Sequence, residues 1–322
     1  MQQAVITTNL LPDLQAIDEH IVWKLQTNST LINVAGRYLL ASGGKRIRAS
    51  LAVLSAQLGK KYRLENVLHA AAAVELIHAA SLVHDDLIDD AETRRGRTTV
   101  HTKWSGNVAL MLGDYLFAMA AGEMALAPDA RVISIFADAV QRICEAELAP
   151  VQDVQPTDMV LNQYYAKIGG KTAALFEAAA RAGLICGSGD DRAVAEIGQF
   201  GYDIGLAFQI VDDVLDFTGD ELTLGKPAGH DLTEGTITLP LIYAVQDGGG
   251  AILHEVVHTD GPTAKLVATA VAEVRRMHGP ERAVQEAERL VAQANERLEY
   301  FEDGPAKAAL LDLAAFALRR AM

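Results

Sequence analysis

The sequence predicts an all-α protein, on three observations. Only 6% of the 322 residues are aromatic while 50% are hydrophobic, and alanine is abundant throughout. Alanine is the best helix former, whereas strands favour aromatic and β-branched residues. Long segments run without glycine or proline, and no stretch alternates apolar and polar residues for long enough to build a sheet. The expectation is one helical domain over 1–322, of roughly a dozen helices.

The first helix is "LPDLQAIDEHIVWKL", with apolar residues at Leu14, Ile17, Ile21, Val22 and Leu25 behind a Pro12-Asp13 start signal. "ENVLHAAAAVELIHAASLVHDDLIDD", from Glu65 to Asp90, is apolar almost all round until its acidic end, which places it inside the protein. "GNVALMLGDYLFAMAAGEMAL", "DARVISIFADAVQRICEAELA", "KTAALFEAAARAGLIC" and "RAVAEIGQFGYDIGLAFQIVDDVLDF" follow as helices. "GPERAVQEAERLVAQANERLEYF" and "PAKAALLDLAAFALRR" read as two amphipathic helices at the end. The breaks are short: "ASGGKR", "RRGRTT", "KIGGK", "CGSGDD", "GDELTLGKPAGHDLTEGT" and "QDGGGA".

Composition limits the partners. A formal net charge of -14 repels nucleic acid, and an anionic substrate needs a local basic patch or bound cations. Cys144 and Cys186 lack CxxC spacing and read as two buried thiols of a reducing, cytoplasmic compartment. "MQQAVITTNLLPDLQ" does not read as a signal peptide, and no apolar run is expected to approach the ~18–20 residues of a membrane span.

One pattern occurs twice. "SLVHDDLIDD" and "FQIVDDVLDF" each lead from apolar residues into Asp-Asp-x-x-Asp. Asp85 and Asp89 lie one turn apart on one helix face, with Asp86 about 100° around; Asp212, Asp213 and Asp216 repeat the spacing. Like charges at i, i+4 destabilise a helix, and desolvation at the end of a buried helix adds to the cost. Something cationic should offset a cost accepted twice. Carboxylate oxygens suit magnesium, which completes its shell with water and substrate phosphate. Basic residues lie in nearby loops: Lys45, Arg46 and Arg48 after Gly43-Gly44, Arg94 and Arg95 after the first motif, Lys171 after Gly169-Gly170, and Lys226 after Gly225. Arginine forks match phosphate geometry. Metal ions plus arginines point to a highly charged anion such as a diphosphate. The GGK segments are not P-loops, because GxxxxGK[ST] spacing is absent.

In order along the chain, "GGKRIR", "ELIHAASLVHDDLIDDAETRRG", "GDYLF", "GGKTAALF", "FQIVDDVLDFTGD" and "GKPAGHDLTEGTITLP" resemble the trans-isoprenyl diphosphate synthases, or polyprenyl synthetases. The likeness spans about Gly43 to Pro240. It implies an all-α fold around a central cavity, a homodimer, and two acidic helix ends facing across that cavity. Three magnesium ions, with manganese as a substitute, would bind the allylic diphosphate between Asp85/Asp89 and Asp212, with Asp86, Asp213 and Asp216 in support. By the same resemblance Arg94, Lys171, Thr172, Gln209 and Lys226 hold or orient the allylic partner. Lys45, Arg48, His78 and Arg95 hold isopentenyl diphosphate. Without the resemblance, His78 reads as a packed helical histidine. Two positions depart from the family's pattern: Ala49 replaces a usual proline, and Thr236 replaces a usual lysine near the second motif.

Small residues before the first motif bear on product length. Ala80 and Ser81 stand where short-chain members often carry a bulky aromatic, with Ala73 and Ala70 further back. Ala70 lies about 22 Å along the helix from Asp85, so the expected product has roughly 20 carbons or more, centred on about 30–50. Phe117 or Met119 on a facing helix would close such a tunnel. A class I terpene cyclase fits less well, since it usually replaces the second DDxxD and lacks "GGKRIR". A non-catalytic subunit of a heteromeric synthase fits less well too, since it has no need of all six aspartates.

Overall fold

The computed structural model describes residues 10–41, 43–149, 151, 153–155, 157–219 and 228–319. The helices run α1 (Leu11–Lys24), α2 (Thr30–Leu40), α3 (Ile47–Gln57), α4 (Leu64–Ile88), α5 (Val100–Lys103), α6 (Gly106–Leu126), α7 (Arg131–Leu148), α8 (Thr157–Ile168) and α9 (Ala174–Cys186). They continue as α10 (Asp191–Thr218), α11 (His230–Thr233), α12 (Leu239–Gln246), α13 (Ala251–Val257), α14 (Ala264–Arg276), α15 (Gly279–Leu298) and α16 (Pro305–Arg319). Between α4 and α5 a hairpin pairs β1 (Thr93–Arg94) with β2 (Arg97–Thr98), antiparallel and in register Thr93↔Thr98. The all-α expectation holds, with this hairpin the one sheet among the described residues.

Two compact units divide the chain. The first takes the described residues of Met1–Val140, Leu175–Gly198 and Tyr300–Leu310; the second takes those of Gln141–Ala174, Gln199–Glu299 and Leu311–Met322. The borders fall inside α7, α10 and α16, at the start of α9, and between α15 and α16.

In the first unit α4 is the central element, packed against α1, α3, α5 and α6. Val67, Val74, Leu76, Ile77 and Val83 are buried along it. Each such side chain contributes roughly 1.5–3 kcal/mol by leaving water, which lets the helix carry an acidic end. α1 begins with proline in its first turn beside Asp13 and ends on Lys24, in keeping with the helix dipole. Of its expected apolar face, Leu14, Ile17, Ile21 and Leu25 are buried, whereas Val22 is exposed. Ser105 caps α6 by accepting from the Val108 backbone N–H at 3.3 Å. By length and composition α4 and α6 could each cross a membrane; α4 has 67% of its most apolar window buried within the protein, which marks it as a core helix, and α6 has 39%.

In the second unit α12 packs on α8, α14 and α15. "KIGGK" is not the expected break. Helix α8 passes through a π-turn, Gly169–Ala173, straight into α9. The two glycines serve close packing: a Cβ on Gly169 would lie 2.3 Å from the Tyr202 hydroxyl, and one on Gly170 would lie 2.6 Å from the Arg142 carbonyl oxygen. π-turns of this kind recur at functional sites.

Candidate active site

The first acidic motif sits where α4 ends. Asp85 is half-buried, Asp86 is buried, and Asp89 is the exposed C-cap residue. Asp90 follows with φ +49° and turns the chain out of the helix. Burial raises the Asp86 carboxyl above its ordinary range, and Arg94, whose Nε donates to Asp86 Oδ1, opposes that rise. Arg94 is placed by the β1–β2 hairpin, whose turn residues Arg95 and Gly96 have φ +53° and +72°. Such a two-residue turn matches the twist of the strands it joins.

Arginines converge on this end of α4. Arg95 Nη1 donates to the Gly43 carbonyl, tying the hairpin turn to the "GGKRIR" loop. Arg46, the left-handed N-cap residue of α3, pairs with Asp18 at 2.8 Å and with Glu75 at 3.2 Å. Buried Glu75 also accepts from the Ala49 backbone N–H at 3.0 Å. That bond needs an N–H, which a proline at position 49 would lack. The Arg48 guanidinium lies 4.7 Å from the Phe176 ring centroid, and Lys45 is exposed. Desolvation, then the charges of Arg48, Arg95, Arg94 and Arg46, push the His78 imidazole well below the usual histidine range. His78 is therefore a neutral group within a cationic ring, an environment that favours an anion. Of five non-glycine residues with positive φ among those described, three (Arg46, Asp90 and Arg95) surround this cluster. Conformations of that cost, about 1–3 kcal/mol each, collect at functional sites.

The second motif lies within α10. Asp212 is half-buried; Asp213 and Asp216 are buried. Asp213 accepts from Tyr164 Oη at 2.6 Å and from Gln209 Nε2 at 2.9 Å. Thr172 Oγ1, at the π-turn, donates to Gln209 Oε1 at 2.7 Å and so orients the amide. Burial, followed by the nearby Asp231 carboxylate, pushes Asp213 up to about 8, against the two hydrogen bonds. Asp216 holds the return of the chain: its Oδ2 accepts from the Asp231 N–H at 3.0 Å and its carbonyl from the Gly229 N–H at 2.8 Å. Lys171 Nζ pairs with Glu147 at 2.5 Å. Half-buried Thr236 donates its N–H to the Asp231 carbonyl at 2.7 Å. Lys226 lies outside the described residues.

Residues 29–274 match the Polyprenyl synthetase family. The chain belongs to that family. It is 37% identical over 311 residues, 97% of each chain, to the heptaprenyl diphosphate synthase component 2 of Geobacillus stearothermophilus. It is 38% identical over 301 residues, 91% of each chain, to the short chain isoprenyl diphosphate synthase of Methanothermobacter thermautotrophicus. A crystal structure of a polyprenyl synthase from Caulobacter crescentus, complexed with calcium and isoprenyl diphosphate, superimposes with a TM-score of 0.91. It shares 31% identity over 98% of this chain and 97% of that one. The chain is thus an enzyme, a polyprenyl synthetase of the prenyltransferase class.

The structure adds residues to this polyprenyl synthetase that motif reading passed over. Tyr164 and Asp231 govern Asp213, Glu147 engages Lys171, and Glu75 anchors Arg46. Tyr164 stands in "NQYYAKIGGKT", where its nearness to the GGKT segment was the available signal. Of the four small residues on α4, Ala70, Ala73 and Ala80 are fully buried. Ser81 is half-buried and donates its hydroxyl to the His78 carbonyl at 3.0 Å. Phe117 and Met119 on α6 are half-buried, and the Phe117 ring lies 5.8 Å from that of His84.

Proposed function

We propose that the chain condenses isopentenyl diphosphate with an allylic diphosphate to give a trans-polyprenyl diphosphate, acting as one catalytic domain. The reading is carried by two carboxylate clusters, one in each unit, and by the arginines around a neutral His78 in the first. Asp213 supports a divalent ion in particular, since its partners Tyr164 and Gln209 are neutral and its charge is held back by burial. The donor set is all hard oxygen, which fits magnesium or manganese. The similar Caulobacter enzyme, complexed with calcium and isoprenyl diphosphate, points the same way. Asp85, Asp86, Asp89, Asp212, Asp213 and Asp216 would hold the ions. Bound there, such ions would neutralise the allylic diphosphate and make it a better leaving group.

The chain's own residues do the rest. Arg94, Lys171, Thr172, Gln209 and Lys226 hold the allylic diphosphate. Lys45, Arg48, His78 and Arg95 hold that of isopentenyl diphosphate. The apolar stretch of α4 before its acidic end keeps water from the allylic cation formed when the C–O bond breaks. The isopentenyl double bond attacks that cation, and a proton leaves to the departing diphosphate. We propose a product of roughly 30–50 carbons, on the absence of Phe, Tyr or Trp along α4 from Ala70 to Ser81, about 16 Å of helix. Ala80→Phe should shorten it, and chromatography of dephosphorylated products reads the change. An unchanged product would remove α4 from length control.

We propose a homodimer, supported by apolar residues that α6 leaves exposed, Leu110 at 45%, Met111 at 58% and Leu126 at 53%. A cytoplasmic setting suits the two free thiols, of which Cys144 is exposed rather than buried as expected, while Cys186 is buried with its pKa pushed up to about 12 by desolvation. Labelled isopentenyl diphosphate should enter butanol-extractable product only with both an allylic primer and magnesium. A second reading, one component of a two-chain synthase, rests on the name of the Geobacillus relative. Turnover by the purified chain alone would exclude it.

A further inference from the structure

We propose that His20, His69 and Glu123 form a transition-metal site, with zinc the fitting ion, that pins α1 to α4 and α6. The three residues come from three helices of the first unit, well separated in sequence. His20 Nε2 lies 2.8 Å and His69 Nδ1 2.7 Å from the same oxygen, Glu123 Oε2. The three ligand atoms all lie within 4.8 Å of one another.

Two imidazole nitrogens and one carboxylate are the donor set that zinc accepts while keeping a fourth position for water. Magnesium and calcium prefer oxygen throughout, so this cluster differs in kind from the two aspartate motifs. Without a metal, both ring nitrogens must carry hydrogens to donate to an ionised carboxylate. An ion takes the place of those two hydrogens. Ligand atoms around tetrahedral zinc stand about 3.3 Å apart, so entry of the ion opens the two nitrogen–oxygen distances by about half an ångström and closes the nitrogen–nitrogen distance, within 4.8 Å, by at most about 1.5 Å.

The surroundings suit this role. Glu123 is 2% exposed, while His20 and His69 are 17% and 23% exposed, which leaves a path for an ion and a water. Burial works against ionisation of Glu123, but hydrogen bonds from His69, His20 and Lys24 overcome it and hold the carboxyl below its usual range. Lys24 Nζ sits 3.1 Å from the other oxygen, Oε1. It fixes the carboxylate and leaves Oε2 to the ion, as an outer partner of a metal ligand does. Its positive charge also weakens the site.

The test titrates the full-length, metal-stripped chain with Co2+ in excess Mg2+, reading visible absorption, and then displaces the cobalt with Zn2+. We expect one strongly absorbing, tetrahedral cobalt per chain. His20→Asn and His69→Asn, each shown folded by circular dichroism, should weaken binding at least about tenfold. Zinc should raise the melting temperature of the wild type but not of His69→Asn. Lys24→Met should tighten binding, and Asp85→Asn and Asp212→Asn should leave it unchanged. Because Glu123→Gln removes a buried anchor of three side chains, the two histidine variants carry the test. No tetrahedral cobalt spectrum, or one unaltered in the folded histidine variants, would overturn the site.

Discussion

The two DDxxD motifs share their letters and differ in how their buried carboxylates are managed. At the end of α4, Asp86 faces a cation, Arg94, delivered by the hairpin just beyond the helix. Within α10, Asp213 faces two neutral donors, Tyr164 and Gln209, and a further carboxylate, Asp231. Burial raises both carboxyls, but only at the first does an arginine oppose it. The buried Asp86 of the first motif thus has a built-in counter-ion. At the second, burial holds Asp213 in its protonated form. Identical spacing in sequence does not imply identical electrostatics, because the partners come from other parts of the chain.

The largest effect should show the two motifs as equals in chemistry. Asp85→Asn and Asp212→Asn should each lower single-turnover condensation by at least about a hundredfold. A variant that keeps near-normal turnover would remove its motif from the reaction. Next comes the proton. With Asp213 at about 8, magnesium must displace a proton at neutral pH. Metal affinity should therefore rise with pH, by up to about tenfold per unit, and level off above about 8. Asp213→Asn should abolish that proton-linked slope; calorimetry in buffers of different ionisation heat counts the protons released. Stability of the metal-free protein runs the opposite way. The folded state keeps a proton that the unfolded chain loses near 3.8, so stability falls as pH rises from there towards about 8.

The smallest effects separate the two devices themselves. Arg94→Gln leaves Asp86 buried without its cation; Arg94 is 39% exposed, so the cost is about 1–2 kcal/mol. Tyr164→Phe removes a neutral hydrogen bond at a fully buried position, for about 1–2 kcal/mol, and lifts the Asp213 carboxyl further. Urea unfolding with and without magnesium checks both. Equal responses to metal in the two variants would erase the contrast.

The sequence showed the fold where one segment carries its own signal. α4, α6, α7, α10, α15 and α16 are long periodic or apolar runs, and each is found within a few residues of its expected span. Gly169-Gly170 misled, because glycine marks either a turn or a close approach, and only the carbonyl of Arg142 decides which. The carboxylates were legible as motifs, since spacing on one helix is a local property. Their partners were not. Tyr164 lies 49 residues from Asp213 and Glu147 belongs to a different helix from Lys171, and neither pairing leaves a mark on local sequence. The His20, His69 and Glu123 cluster was invisible for the same reason, its members being 103 and 54 residues apart.

The central claim is that both aspartate clusters bind divalent ions that in turn bind diphosphate. Calorimetric titration of inorganic diphosphate into the wild type, Asp85→Asn and Asp212→Asn, with and without magnesium, tests it most directly. Tight binding should need magnesium and be lost in both variants. Tight binding without metal, or binding that survives either substitution undiminished, would contradict it.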